Sequence, residues 1–136
     1  MALGDNKSTA LTIIRIILAA VMFIHGAARI SYGTVGGFGE FLGSQGIPLG
    51  FYVAWAITIF ELIASVLLAA GFYAWIIALI FAVELAVGIG MVHWKEGWFV
   101  VGHGRNGMEF SAVLIACLLA VSYGSYKAPE RSFRRR

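Results

Sequence analysis

Long apolar runs, interrupted by a few isolated polar positions, set the pattern of this chain. The first run extends from about residue 10 to residue 30. As a helix of about 20 residues it is long enough to cross the hydrocarbon core of a bilayer. It is also longer than the apolar core of about 7–15 residues that is typical of a signal peptide. The pattern therefore predicts a first transmembrane helix that is retained in the protein.

A second, nearly continuous apolar run covers residues 48–93. As one helix it would be about 69 Å long, roughly twice the hydrocarbon thickness, so the chain must turn back within it. The charge-free run between Glu61 and Glu84 could itself be taken as a span. The apolar residues 51–60 and 85–92 on either side of it would then lie in water. A turn at residues 71–73 instead leaves two full spans. The four predicted spans cover about residues 10–30, 49–70, 73–92 and 108–123.

The composition indicates that the main solvent of this chain is lipid. Hydrophobic residues make up 60% of the chain and charged residues 12%, and the mean hydropathy is +0.87. Soluble domains usually carry about 25% charged residues. Four spans and their connections use nearly all of the 136 residues, which leaves little room for a soluble catalytic domain. We therefore predict an all-α fold: an integral membrane four-helix bundle in the lipid bilayer, formed as a single domain by residues 1–136.

The positive charges are unevenly placed along the chain. Half of the Lys and Arg residues follow Tyr126, in a basic tail at residues 127–136. Because positive residues favour the cytoplasmic side of a membrane, the pattern predicts that both termini are cytoplasmic. A tail of this kind suits anionic lipid headgroups, so the net charge of +3 is not taken as a sign of a nucleic-acid partner.

Two longer connections then face the outside. The first, residues 31–47, is rich in glycine, and its Phe38, Phe41 and Leu42 have the spacing of a short interfacial helix. The second, residues 94–107, mixes aromatic and charged residues, which favours a loop that dips into the interface.

Several ionisable residues lie within the predicted spans or at their ends, and six of them are expected to converge towards one half of the bundle. A charged group in hydrocarbon is costly unless it is paired or neutralised, so each is a functional-site hypothesis. Helical rise places some of them near the outer boundary and the two central glutamates deeper. Arg29 is long enough to be the main counter-charge of a buried glutamate. The candidate residues are His25, Arg29, Glu61, Glu84, His93 and Glu109.

The residues leave two interpretations of this cluster open. It is either an ion-pair network that only fixes the register of the bundle, or a polar site at the mouth of an apolar cavity. Such a site suits a quinone, whose carbonyls would accept hydrogen bonds from His or Arg while the carboxylates carry protons. A metal site or a haem with two axial histidines is disfavoured, because the spacing of a helical metal-binding pair is missing. No metal is predicted.

The chain contains one cysteine, Cys117. By itself it therefore forms no intramolecular disulfide, two-thiol redox relay or multi-cysteine metal cage. Cys117 is expected to be a small packing residue. On the same helix, Ala112, Ala116 and Ala120 follow Glu109 at the spacing of a small-residue packing seam.

Several short motifs recur in the order found in one family of membrane proteins. They are Arg15, His-Gly-Ala-Ala-Arg at 25–29, Gly-Ile-Pro at 46–48, Glu61 followed by Leu67, Leu68 and Gly71, His93 followed by Gly-Trp-Phe at 97–99, and Gly-Met-Glu at 107–109. From Arg15 to about Tyr126 the chain resembles the DoxX family of small bacterial four-helix membrane proteins.

Members of that family resemble the subunit of a thiosulfate:quinone oxidoreductase. The resemblance implies a membrane subunit or accessory of a quinone-linked oxidoreductase in the bacterial cytoplasmic (inner) membrane. Quinone is then the candidate cofactor, and partner proteins or a homo-oligomer are expected. The lone Cys117 argues against a self-contained thiol relay, and the missing soluble domain argues against complete catalysis by this chain. A non-enzymatic scaffold or oligomeric module and a small transporter or proton-conducting protein remain alternatives.

Overall fold

The structure is a computed structural model that describes residues 3–126. The basic tail predicted at residues 127–136 lies outside the described residues. Five α-helices form the fold, and α4 continues first into a π-helical turn and then into a short 3-10 turn. In chain order they are α1 (Leu3–Ser31), α2 (Val35–Ser44), α3 (Gly50–Ala70), α4 (Ala74–Gly88), the π-helical turn (Ile89–His93), the 3-10 turn (Trp94–Glu96) and α5 (Glu109–Tyr126).

Four segments of this structure are long and apolar enough to cross a membrane. They are Asn6–Ser31, Gly50–Ala70, Ala74–Glu96 and Glu109–Tyr126. This finding confirms the predicted all-α fold with four long apolar helices, and the protein is a multi-pass membrane protein. The third segment extends past the predicted end at residue 92, because the backbone stays helical through the π-helical and 3-10 turns. The side on which the termini lie stays a prediction.

The turn between α3 and α4 lies where the apolar pattern required one. Gly71 ends α3 with a left-handed backbone (φ 85°), a conformation that glycine adopts without steric strain. Its N–H and that of Phe72 donate to the last carbonyls of α3, at Leu68 and Leu67. Arg15 of α1 caps the same end of α3, because its Nη2 donates a hydrogen bond to the carbonyl oxygen of Ala69 at 3.3 Å. The cation thus lies at the negative end of the α3 dipole.

The bundle consists of two closely packed helix pairs, α1 with α3 and α4 with α5. The pairs are joined chiefly through α1 and α5, whereas α3 and α4 touch less. The main core lies among the four spans, and its largest buried apolar residues include Leu18, Met22, Leu68, Phe81 and Leu118. Leu18 and Met22 belong to the α1 face that also carries His25 and Arg29, so this face points into the bundle.

Helix α2 includes Phe38 and Phe41 and lies on the first turns of α3. The contact is between backbones: a Cβ at Gly39 would lie 2.7 Å from the Cα of Phe51. At Gly50 a Cβ would collide with the carbonyl oxygen of Gly39. Only glycines permit this approach. As a result, α2 lies close over the end of the bundle opposite the α3–α4 turn.

Candidate functional site

A cavity of about 640 Å³ opens where α3 and α4 diverge. The cavity lies at the end of the bundle that carries α2 and the loop 97–108. We call this end of the bundle the cavity end. Its walls are mostly apolar and include Met22, Phe38, Phe41, Leu85, Met91 and Phe110. The volume falls within the range of about 300–1,000 Å³ that is typical of small-molecule sites.

The structure brings five of the six candidate residues to this one cavity. Its lining includes His25 and Arg29 from α1, Glu61 from α3, Glu84 from α4 and His93 from the π-helical turn. These residues come from α1, α3, α4 and the π-helical turn, whereas α2 and α5 supply mainly apolar wall. That they form a functional site stays a prediction, but their convergence is a geometric fact.

Glu109 is placed differently from the other five. It begins α5, and its backbone N–H donates to the carbonyl of Trp98 at 3.0 Å. Its carboxylate Oε1 accepts a hydrogen bond from the backbone N–H of Val100 at 2.9 Å. Glu109 therefore fastens the loop 97–108, whose Val100 and Asn106 line the cavity. The residue acts on the cavity wall and does not itself line the cavity.

The centre of the site is an ion pair between α1 and α3. Arg29 Nη2 donates to Glu61 Oε1 at 2.5 Å, and the Glu61 side chain is 1% exposed. Arg29 Nη1 donates to Thr58 Oγ1 at 3.0 Å, while that hydroxyl donates to the carbonyl of Ala54 at 2.8 Å. The guanidinium is thus held by two partners one turn apart on α3. Arg29 is the counter-charge that the sequence predicted.

Phe38 covers this ion pair from α2. Its ring centroid lies 4.8 Å from Arg29 Cζ, within the range of a cation–π contact. The spacing of Phe38 along the chain predicted an interfacial helix but gave no sign of its contact with Arg29. Thr58 was also missed as a partner of Arg29; its position three residues before Glu61, on the same helix face, was the available signal.

A second carboxyl group lies beside the ion pair. Glu84 is half-buried and lines the same cavity as Arg29 and Glu61. One guanidinium balances only one carboxylate. The three side chains are therefore neutral together only when one of the two glutamates carries a proton.

Gly26 lets α1 approach the buried carboxylate of Glu61. A Cβ at this position would lie 3.1 Å from both Glu61 Oε2 and the carbonyl oxygen of Thr58. Glu61 Oε2 is buried, and no N–H or hydroxyl group of the described residues donates to it. Glycine at position 26 therefore allows close contact between α1 and this buried oxygen.

His93 lies in the cavity wall with a defined tautomer. Its Nδ1 is 2.8 Å from the carbonyl oxygen of Asn106. A carbonyl only accepts, so Nδ1 carries the proton and Nε2 of the neutral ring is an acceptor. His25 lies one helical turn before Arg29, and its side chain is exposed at the cavity rim.

The other candidate chemistries have less support in the geometry. Within residues 3–126, no three His, Cys, Asp or Glu side chains come together as a metal site. Cys117 is a half-buried free thiol of α5 that packs against the main core. It is not part of the cavity lining.

In a comparison with known protein families, the family model described as DoxX matches residues 10–94. The matched range contains most of α1 and all of α2 to α4, and thus the five candidate residues that line the cavity; α5 lies beyond it. No curated protein and no solved structure matches the chain at a significant level.

Proposed function

The chain belongs to the DoxX family, and we propose that it is the membrane subunit of a quinone-linked oxidoreductase, with the ring of a quinone-type ligand held in the cavity. One observation carries this proposal: one arginine and two glutamates, of which Glu61 is buried, come together in a mostly apolar, aromatic cavity. Small-molecule sites typically combine apolar walls with a few placed polar groups.

The cavity matches the two kinds of surface on a quinone. Phe38, Phe41 and Phe110 supply aromatic wall for the faces of a ring. Arg29, Glu84 and His93 supply polar atoms for the ring oxygens. A purely apolar lipid chain would leave these polar groups without partners, which is unfavourable in a low-dielectric site.

The second glutamate favours a role beyond structure. An ion pair that only fixed the helix register would be complete with Arg29 and Glu61, since their charges cancel. Glu84 adds a further ionisable group, and it does so at the cavity wall. Reduction of a quinone takes up two electrons and two protons. In the proposed function a partner oxidoreductase supplies the electrons, and the Glu61–Glu84 pair passes protons to the ring oxygens.

Filling the cavity tests this function directly. Gly88 lines the cavity and has no atom within 4 Å of its Cβ position, so Gly88→Leu projects a side chain into open space. Gly90 is equally open but is not part of the lining, so Gly90→Leu is the matched control. Both variants are purified in lipid nanodiscs, and binding of a short-chain quinone is measured against empty nanodiscs.

We expect saturable binding by the unchanged protein and by Gly90→Leu, and a loss of at least about ten-fold in affinity for Gly88→Leu, since a tenfold change is about 1.4 kcal/mol. Absence of saturable binding to the unchanged protein by quinone and hydroquinone alike would refute the function. So would a Gly88→Leu variant that binds as well as its control.

An oligomeric module is the second candidate function. Ala116 and Ala120 of the predicted small-residue seam are exposed on α5 and do not pack within the bundle. Small residues on an exposed helix face permit close helix–helix approach in membranes. In this case Ala116→Leu, and not Gly88→Leu, would abolish the activity together with the complex, as measured by mass in detergent or nanodiscs.

A further inference from the structure

Ser111 is a buried polar residue of the cavity wall that the sequence pattern did not single out. It lines the cavity from the first turn of α5 and is 7% exposed. Within residues 3–126, its hydroxyl forms no hydrogen bond. Buried hydroxyls usually have a hydrogen-bond partner, because an unpaired one is costly. This hydroxyl is therefore available to a molecule in the cavity.

The contact between α4 and α5 places Ser111 at the depth of Glu84. These antiparallel helices are aligned near the opposite end of the bundle, where Ser122 Oγ donates to the carbonyl oxygen of Trp75 at 2.7 Å. From that contact towards the cavity end, helical rise takes α5 about 17 Å to Ser111 and α4 about 14 Å to Glu84. The backbones of the two residues thus lie within about 3 Å of the same depth.

A contact between α1 and α5 places Ser111 at the depth of Glu61 as well. A Cβ at Gly124 would lie 2.6 Å from Leu11 Cδ1, so these two residues are level in the bundle. Helical rise then takes α5 about 20 Å to Ser111 and α1 about 22 Å to Gly26. Gly26 is the position at which α1 meets the carboxylate of Glu61. Ser111 therefore lies in the same cross-section of the bundle as that carboxylate.

Ser111 and the ion pair of Arg29 with Glu61 lie on different sides of the cavity. Helix α3 packs chiefly on α1 and α5 packs chiefly on α4, and all four helices line the cavity. Helices in contact have axes about 8–10 Å apart, so α3 and α5, on a diagonal of the bundle, are separated by about 11–14 Å. One ring in this cross-section can therefore be contacted from both sides.

Arg29 retains hydrogen-bonding capacity for a ligand on its side. A guanidinium has five N–H groups, and two of those of Arg29 donate, to Thr58 and Glu61. The other N–H groups suit an oxygen at one end of a ring. The hydroxyl of Ser111 both donates and accepts, so it suits a carbonyl or a hydroxyl at the other end.

We propose that Ser111 is a specificity-determining residue of the cavity, which binds the second oxygen of a ring whose first oxygen is bound by Arg29. This inference rests on the proposed function and narrows its substrate class to rings with oxygens at opposite positions, as in a 1,4-quinone. A ring with one oxygen, or with two oxygens in a 1,3 arrangement, would leave Arg29 or Ser111 without a ligand partner. Ser111 lies outside the range that the family model matches, so α5 contributes this part of the site.

Three ligands with the same short alkyl substituent test this geometry: a 1,4-hydroquinone, its 1,3-isomer and the phenol with a single hydroxyl. The reduced ring is used because only it has a stable 1,3-isomer. Each ligand is titrated anaerobically by calorimetry into the full chain in nanodiscs, with empty nanodiscs as reference. We expect the 1,4-isomer to bind at least about five-fold more tightly than the other two. That factor is about 1 kcal/mol, the net contribution of one hydrogen bond.

A cavity variant and a matched control connect this preference to Ser111. Ser111→Ala removes the hydroxyl and should reduce the preference to less than about two-fold, because no ligand then finds this partner on α5. Ser65→Ala is the control and should keep the preference: Ser65 is also a buried serine without a hydrogen bond in the described part of the chain, but it does not line the cavity. If Ser111→Ala fails to fold, Ser111→Cys keeps the shape of the side chain with a much weaker donor, and the same loss is expected.

The outcomes separate this inference from the function on which it rests. A purely structural role of Ser111 would change the affinity for all three ligands alike, so an unchanged preference in the folded variant overturns the inference. The same holds if the unchanged protein shows no preference, or if Ser65→Ala loses it equally. In each of these cases saturable binding leaves the quinone site standing. Absence of saturable binding by quinone and hydroquinone alike overturns both the inference and the proposed function.

Discussion

Arg29 and Glu61 join α1 to α3 through an ion pair in which Nη2 lies 2.5 Å from Oε1 and the glutamate is 1% exposed. The pair is fixed by Thr58 beneath the guanidinium and by Phe38 against it. Because each charge is removed from bulk solvent, each depends on the other for compensation. The stability of the bundle and the chemistry of the cavity thus depend on the same contact.

Removing one partner of this pair should destabilise the fold. Glu61→Gln removes the buried carboxylate that binds Arg29, and we expect a loss of about 3 kcal/mol in the free energy of unfolding. Unfolding by denaturing detergent, followed by circular dichroism, measures the change. Glu96→Gln, in the exposed 3-10 turn, is the matched control and should leave the unfolding midpoint unchanged. A Glu61→Gln protein as stable as this control would show that the pair contributes little.

The close approach of α1 to Glu61 gives a second prediction. In Gly26→Ala the added Cβ lies 3.1 Å from Glu61 Oε2, so the helices must separate or the carboxylate must shift. We expect a destabilisation of about 1–3 kcal/mol, as for other overpacked sites. Gly36→Ala on α2 meets no atom within 4 Å and should not destabilise the protein. Equal unfolding midpoints of the two variants would contradict the contact.

Glu109 should control the loop that forms one wall of the cavity. Glu109→Ala removes the acceptor of the Val100 N–H, a hydrogen bond to a charged group worth about 1.5–3 kcal/mol. We expect hydrogen exchange at residues 97–108 to accelerate by at least about ten-fold, since 1.4 kcal/mol is a factor of ten. Exchange in the middle of α3 serves as the internal reference and should not change. Unaltered exchange at Val100 would show that the loop is held by other contacts.

The orientation of the bundle is open to a direct test. The basic residues at 127–136 predict a cytoplasmic C-terminus, and the loop 97–108 then lies on the outer side. Activity of reporter enzymes fused after residue 136 and inserted at Gly102 reports the two sides in cells. If the C-terminal reporter faces outward, every loop and the cavity end lie on the side of the membrane opposite to the predicted one. The geometry of the site is the same in either orientation.

Much of the architecture follows from local properties of the chain. Apolar length determined four spans, and Gly71 allowed the left-handed turn that ends α3. The cluster of candidate residues was also largely visible in the sequence, because an ionisable residue inside a span requires a partner. The length of the Arg29 side chain predicted correctly that it reaches a buried glutamate. These inferences succeed because helix geometry and the low dielectric of lipid act on each residue wherever it lies in the fold.

Other contacts depended on how the helices pack. Phe38 lies against Arg29 only because Gly39 and Gly50 let α2 rest on α3. Glu109 and His93 lie at about the same expected depth in the membrane. His93 lines the cavity, however, whereas the carboxylate of Glu109 accepts a hydrogen bond from the loop backbone. Helical rise gives the depth of a residue, but the direction of its side chain depends on the neighbouring residues.

His93 shows this difference most clearly. In a regular α-helix, at about 100° per residue, a position nine residues after Glu84 lies on roughly the opposite side. The π-helical turn Ile89–His93 places more residues in one turn and thereby changes this angle, and both residues line the cavity. The sequence by itself determined the membrane environment, the number of spans and which charges need partners, because these depend on composition and length. Only the tertiary structure decided which charges meet, because that depends on helix packing and on one irregular turn.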